Sequence, residues 1–306
     1  MLAFACLVAL PASAAAEHVP CGAVLTQDTK LDSDVVCTGT EFDPLTGVVI
    51  GADGVTLDLN GFAVRGPNRG EQVEDQAGIL TSGAYRSVTI RNGAITGFSE
   101  GLVLELSDST IRHLTTTGRL SLRGDGNVVR DSFITDGDTG LAVRGDDNRV
   151  LRNDAFGYDG DGIDVSGARN RIVGNTADSF ISYGIRVSDF TDVEIKGNVA
   201  SNGIAVVDGS GGVVERNVAD GVSSSFGISI GADDLLIRKN HASRNYDGGI
   251  YVYGTGNTIK QNVANDNGEH LNNYGIYVVP GNLDGGGNRA RGNGAPEQCF
   301  GVRCRP

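Results

Sequence analysis

The sequence contains no tryptophan, a single methionine at position 1 and only 6% aromatic residues. A core of interlocking rings is therefore excluded, and the interior has to be built from Ile, Val, Leu and Ala. Basic residues are scarce too: 25 Lys and Arg stand against 38 Asp and Glu, a formal net charge of -13. Such a chain lacks the basic face that binding nucleic-acid phosphates requires. An acidic polysaccharide would also be repelled unless a local arginine patch or a bridging cation offset the field. Long apolar runs are missing beyond the first residues, so no membrane span is expected. Glycine is what abounds, 46 of 306 residues without a collagen-like period of three, which points to many turns. The 39% of hydrophobic residues fall in short alternating runs, the mark of an ordered chain.

The one apolar run is Leu2–Leu10, broken by Pro11 and followed by Ala12-Ser13-Ala14 or Ala14-Ala15-Ala16. It is too short to cross a bilayer. The small-residue pattern predicts that residues 1–16 are an export signal, although the usual basic start is missing. The mature protein is then expected to be secreted or periplasmic. Cys6 would be lost with the signal, leaving Cys21, Cys37, Cys299 and Cys304 at the two ends. In an exported chain an even count invites disulfides. Proximity favours Cys21–Cys37 and Cys299–Cys304 among the three possible pairings, with a metal site as the alternative. Stapled ends would cover the open β edges of a stacked repeat.

The repeat itself is clearest from Gly162 to Ala219. Gly162-Ile-Asp-Val leads to Asn175-Thr-Ala, Gly184-Ile-Arg-Val to Asn198-Val-Ala, and Gly203-Ile-Ala-Val to Asn217-Val-Ala. Counterparts of the opening glycine stand at 140, 162, 184, 203, 227, 249 and 275, a period near 22. Apolar spacing of two within so short a unit predicts a β-solenoid, since helical repeats need spacings of three and four. Residues 17–46 read as an N-terminal cap and 47–293 as the repeats. Residues 66–77 within them are polar and aperiodic, a surface insertion. Residues 294–306 read as a C-terminal cap. Asn153, Asn175, Asn198, Asn217, Asn240 and Asn262 occupy one slot of successive repeats, with Asn293 expected to continue them. At ~4.8 Å between stacked strands, each amide can bond the next, so these residues are read as structural.

The Gly-Ile-x-Val and Asn-x-Ala frames from Gly140 to Asn262 resemble the right-handed parallel β-helix proteins of the pectin-lyase-like superfamily. Within it they look most like the CASH, or NosD-like, repeats. The Cys21…Cys37 start followed by Gly51-Ala-Asp-Gly-Val-Thr-Leu-Asp-Leu-Asn-Gly61 is similar to the start of many such exported proteins. The resemblance implies an all-β fold, a single-stranded right-handed parallel β-helix of about ten or eleven turns. It implies less about activity, because this fold hosts lyases, hydrolases, epimerases and inert adhesins. The Gly-His-Gly and Arg-Ile-Lys of polygalacturonase-like hydrolases and the Asp-Pro-His of mannuronan epimerases are absent.

Candidate chemistry is confined to the outward x positions of the Gly-Ile-x-Val strands and the loops entering them. One column reads Ala142, Asp164, Arg186, Ala205, Ser229, Tyr251 and Tyr277. Its six intervals span about 29 Å, long enough for several sugar units. Asp161 and Asp164 are candidate acid/base groups, Arg186 a candidate partner for a substrate carboxylate, and Arg144 alongside them a candidate substrate contact. The competing reading is an exposed ion pair between neighbouring strands. Tyr158, Tyr183, Tyr251, Tyr274, Tyr277 and His270 are candidate substrate contacts, since aromatic faces suit sugar rings. Tyrosine as an ordinary strand-surface residue is the alternative. Asp159 and Asp161 are candidate ligands for calcium. The expectation is an exported protein acting on an acidic polysaccharide as a lyase or epimerase. The alternative is a non-catalytic glycan-binding or cell-surface module.

Overall fold

The computed structural model describes residues 15–38, 45–67, 76–268, 270 and 272–306. The export signal therefore lies outside the described residues except for its last two positions, as does most of the expected insertion. Every long strand pairs parallel with its counterpart one repeat later, and among the described residues there is no helix. The chain is an all-β parallel solenoid of about 12 turns.

A regular turn has three strands. Ile163–Ser166, Arg171–Val173 and Thr176–Ser179 form one, and Ile185–Ser188, Phe190–Lys196 and Val199–Ala200 form the next. Stacking sets the first, second and third strands of each turn into three parallel sheets. From Ile204 the first and second strands run on as one, in Ile204–Glu215 and Phe226–Arg238. The register is in phase with the sequence: Ile163 pairs Ile185, Val165 pairs Val187, Ile172 pairs Ile195 and Ala177 pairs Ala200. A one-residue slip would turn these side chains outward, so burial fixes the register.

All eight of these residues are at most 1% exposed. Each buried Ile or Val contributes roughly 1.5–3 kcal/mol. From Ala155 to Ala290 alanine fills the inward place of the third strand, where the interior is crowded. The opening glycine is demanded by the same crowding: a Cβ on Gly162 would strike Asp178 O and lie 2.7 Å from Gly184 O.

The turn count exceeds the expectation because the end segments are turns themselves. Ala23–Leu25, Thr29–Leu31 and Val35–Val36 pair in parallel with Thr46–Ile50, Thr56–Asp58 and Ala63–Arg65. At the other end Cys299 and Phe300 pair with Ile276 and Tyr277. Cys21 bonds Cys37 and Cys299 bonds Cys304, as proximity suggested.

The asparagines form the expected ladder at the corner between second and third strands. The Asn175 amide N–H and Nδ2 both donate to Asn198 Oδ1, at 2.9 and 3.0 Å, while Nδ2 also donates to Val150 O. The pattern repeats from Asn153 to Asn262 and ends on Asn288, not Asn293. Asn293 belongs to a second ladder, Asn245–Asn267–Asn293, which Gln298 closes. A third begins at Asn127, Asn148 and Asn170, so each corner of the solenoid carries buried amides. Ser132 joins the first ladder through its hydroxyl, which accepts the Leu114 N–H. Corners need these groups because their backbone amides are buried and out of reach of water.

Candidate functional site

The outward column of the first sheet exists as a register: Ala142, Asp164, Arg186, Ala205, Ser229, Tyr251, Tyr277 and then Phe300 pair in sequence. Strand alternation sends these side chains away from the Ile and Val core. Facing outward does not make them all exposed, however. Ala142, Ala205 and Ser229 are 6%, 2% and 8% exposed. Small side chains between taller neighbours such as Arg186 and Tyr251 form a floor, charged at one end and aromatic at the other.

At the charged end the three aspartates separate by environment. Asp159 is exposed. Asp161 is buried, and its Oδ1 accepts the Ser182 hydroxyl at 2.6 Å and the Tyr183 N–H at 3.0 Å. Those two bonds tie adjacent turns together, so Asp161 holds the corner in place. Asp164 is the carboxylate on the floor, half-buried, with Arg144 Nη2 3.8 Å from its Oδ2. Its burial, and then the negative charge of Asp161, hold its pKa above the usual carboxylate range, against the pull of Arg144 and Arg186. Tyr158 stacks on Phe180 with ring centroids 5.7 Å apart, and both are exposed on the corners leading into this part of the floor. Tyr183 is half-buried.

At the aromatic end four rings stack along the helix axis. Phe226–Tyr251, Tyr251–Tyr277 and Tyr277–Phe300 have centroid separations of 4.7, 5.1 and 4.9 Å. Tyr274 leans on Tyr277 at 5.5 Å and on Phe300 at 6.0 Å. A cavity of about 430 Å³ opens here, lined by Phe226, Asp247, Tyr251, Asn272, Asn273, Tyr274 and Tyr277, with Ile250 behind them. His270 is exposed and outside that lining. Phe226 and Phe300 were not singled out in the sequence. Phe300 sits at the x position of a turn that lacks the Gly-Ile-x-Val frame, and Phe226 directly precedes Gly227.

Another grouping was missed because His241 resembles any strand residue. Its Nδ1 lies 3.0 Å from Asp220 Oδ2 and its Nε2 lies 3.2 Å from Ser243 Oγ. Ser243 is only 2% exposed, and its Oγ also accepts the Asn265 N–H. A substrate carbonyl cannot reach that hydroxyl, so the trio fastens the third sheet rather than supplying a nucleophile. Among the described residues no group of three or more His, Cys, Asp or Glu side chains is placed to hold a metal ion. Among them, too, no helix is long and apolar enough to cross a membrane.

Comparison with known proteins agrees with this architecture. Among solved structures, the A-module of mannuronan C-5 epimerase AlgE4 from Azotobacter vinelandii superimposes with a TM-score of 0.63 at 15% identity, over 92% of this chain and 91% of that one. The AlgE6 A-module from the same organism gives 0.52 at 13% identity, over 94% and 90%. A periplasmic alginate epimerase, AlgG, gives 0.51 at 15% identity, over 87% of this chain and 64% of that one. At such identities the likeness concerns the fold alone. No curated protein sequence matches. The family described as "Right handed beta helix region" matches residues 77–202 and 161–302. With that match across most of the repeats, and a parallel solenoid beneath it, the chain belongs to the right-handed β-helix family.

Proposed function

We propose that this protein is exported and binds a polysaccharide lengthwise along the outer face of its first sheet. The observation that carries the reading is the unbroken column from Asp164 to Phe300. It joins a carboxylate and an arginine, a floor of Ala205 and Ser229, and a four-ring stack. Flat rings with polar tips suit sugars, whose C–H faces stack on them while hydroxyls stay hydrated. Two disulfides at the ends support an oxidising compartment. The polysaccharide class also draws support from the fold's likeness to proteins named as mannuronan and alginate epimerases.

A second reading, catalysis on a uronate, has one observation in its favour. Asp164 is a carboxyl with a raised pKa beside Arg144 and Arg186. Proton abstraction next to a carboxylate needs a base, and a cation to hold the charge that develops. Asp164 would take the proton and Arg186 would neutralise the uronate, giving elimination or epimerisation. Incubating the protein with pectate, alginate and neutral glucans, with calcium or with EDTA, separates the readings. Retention without unsaturated ends, inverted sugars or reducing ends supports binding alone. Product that vanishes in Asp164→Asn supports catalysis, with EDTA sensitivity marking a calcium role at Asp159. Neither retention nor product on any polymer would refute both.

A further inference from the structure

The second sheet carries a feature that the first-sheet reading leaves unused. Five consecutive turns each present one arginine on its outer face: Arg91, Arg112, Arg130, Arg149 and Arg171. The register places Arg91 beside Arg112 and Arg112 beside Arg130, then Val128 beside Arg149 and Arg149 beside Arg171. The next turns continue with Lys196, Glu215, Arg238 and Lys260 in one line. Nine turns thus supply eight cations, in a chain whose net charge is -13. Like charges stack directly, at ~4.8 Å, only within Arg91–Arg112–Arg130, Arg149–Arg171 and Arg238–Lys260. The path steps sideways by two residues at Arg149 and back at Lys196, with Glu194 beside Arg171 and Glu215 between Lys196 and Arg238.

Internal pairing accounts for only part of it. Arg91 meets Asp58 at 3.0 Å, Arg130 meets Asp131 at 2.6 Å and Arg171 meets Glu194 at 2.6 Å. Glu215, 4% exposed, is shared among Lys196, Arg216, Arg238 and Lys239. Arg112, Arg149 and Lys260 have no carboxylate within ion-pair distance among the described residues. Arg112 donates only to the His113 ring, at 3.0 Å. Its burial and the positive charges of Arg91 and Arg130 disfavour its charged form, against the pull of Asp58 and Asp131. These guanidiniums are half-buried or exposed and accessible to a ligand.

We propose that the second sheet is a separate binding strip for a linear anionic polysaccharide, with Arg112 and Arg149, which have no ion-pair partner among the described residues, as its principal contacts. A ladder of one cation per turn fits a polymer bearing regularly spaced carboxylates or sulfates. A single small anion would need only one cluster. Nucleic acid is disfavoured because the strip is narrow and lies on an acidic body, which repels a densely charged strand. The site is on a different sheet from the tyrosine column and does not depend on it.

The test measures retention of polygalacturonate, dextran sulfate, unsulfated dextran and a single-stranded oligonucleotide at low and moderate salt. Proteins compared are the unaltered chain, Arg112→Gln/Arg149→Gln, and Arg289→Gln/Arg305→Gln, which removes the same charge from the third sheet. Each is also made in a Tyr251→Ala/Tyr277→Ala background, so that loss of the first-sheet site is read separately. The strip predicts that Arg112→Gln/Arg149→Gln weakens binding of one or both anionic glycans about tenfold or more, the factor that about 1.4 kcal/mol produces. It also predicts a weaker salt dependence in that variant, in either background. The third-sheet pair should change binding less than about twofold, the scale of exposed charges away from the ligand. The carboxylate and sulfate arms identify the group recognised. Equal losses in both pairs, no binding of either anionic glycan, or tighter binding of the oligonucleotide would overturn the proposal.

Discussion

Replacing Asn198 by alanine tests how the solenoid holds its corners. Asn198 is fully buried. Its Oδ1 accepts the Asn175 N–H and Nδ2 at 2.9 and 3.0 Å, and its Nδ2 donates to Ile172 O and Asn217 Oδ1, both at 2.9 Å. Truncation deletes all four bonds and strips the Asn175 amide of its acceptor in a place water does not reach. A buried group left unpaired costs about 1–3 kcal/mol, and the losses within one network are not additive. We therefore expect Asn198→Ala to destabilise by roughly 3–4 kcal/mol. Urea unfolding followed by circular dichroism measures the loss. Because stacked repeats can open locally, amide exchange at Asn175 gives a local reading and should quicken first. A loss below about 1 kcal/mol with unchanged exchange at Asn175 would refute the idea that the ladder supports the corner.

Asp164→Asn should raise stability at neutral pH. The folded-state pKa of Asp164 is raised, so folding favours its protonated form, and its ionised form weakens the fold as pH rises through that pKa. The advantage of the variant should fade as the pH is lowered and both side chains become neutral; unfolding curves at several pH values check this. Gly162→Ala should cost about 2 kcal/mol or more, since its methyl meets the Asp178 and Gly184 carbonyls, and thermal unfolding reads the effect.

The sequence made the fold legible because alternation, period and corner residues all pointed to one answer. Ile163, Val165, Ile172 and Ala177 announced the inward faces, and the asparagines announced one corner. The identity of the last rung was not legible. Asn288 and Asn293 both follow the pattern loosely, and only the geometry shows that a second corner has an amide ladder of its own. Asp161 and Asp164 look equivalent in sequence, yet one is spent on Ser182 and the Tyr183 amide while the other lies on the floor. Phe226 and Phe300 fall outside the glycine frame that marked the column. The cation strip was hidden by lateral steps: Arg149 and Arg171 begin their strands, whereas Arg91, Arg112 and Arg130 each stand third in theirs. Alternation makes both positions outward, and the stacked register sets them in two adjacent columns of one face.

The proposed binding mode lays a sugar chain along the first sheet from Asp164 to Phe300. It is tested most directly by affinity as a function of oligosaccharide length, using a polymer that the protein retains. The column spans six intervals of ~4.8 Å, about 29 Å. Affinity should rise with each added sugar until the ligand reaches that span and then level off, and Tyr251→Ala/Tyr277→Ala should flatten the rise. Affinity that is already maximal for a disaccharide, or that keeps its length dependence without the two tyrosines, would contradict it.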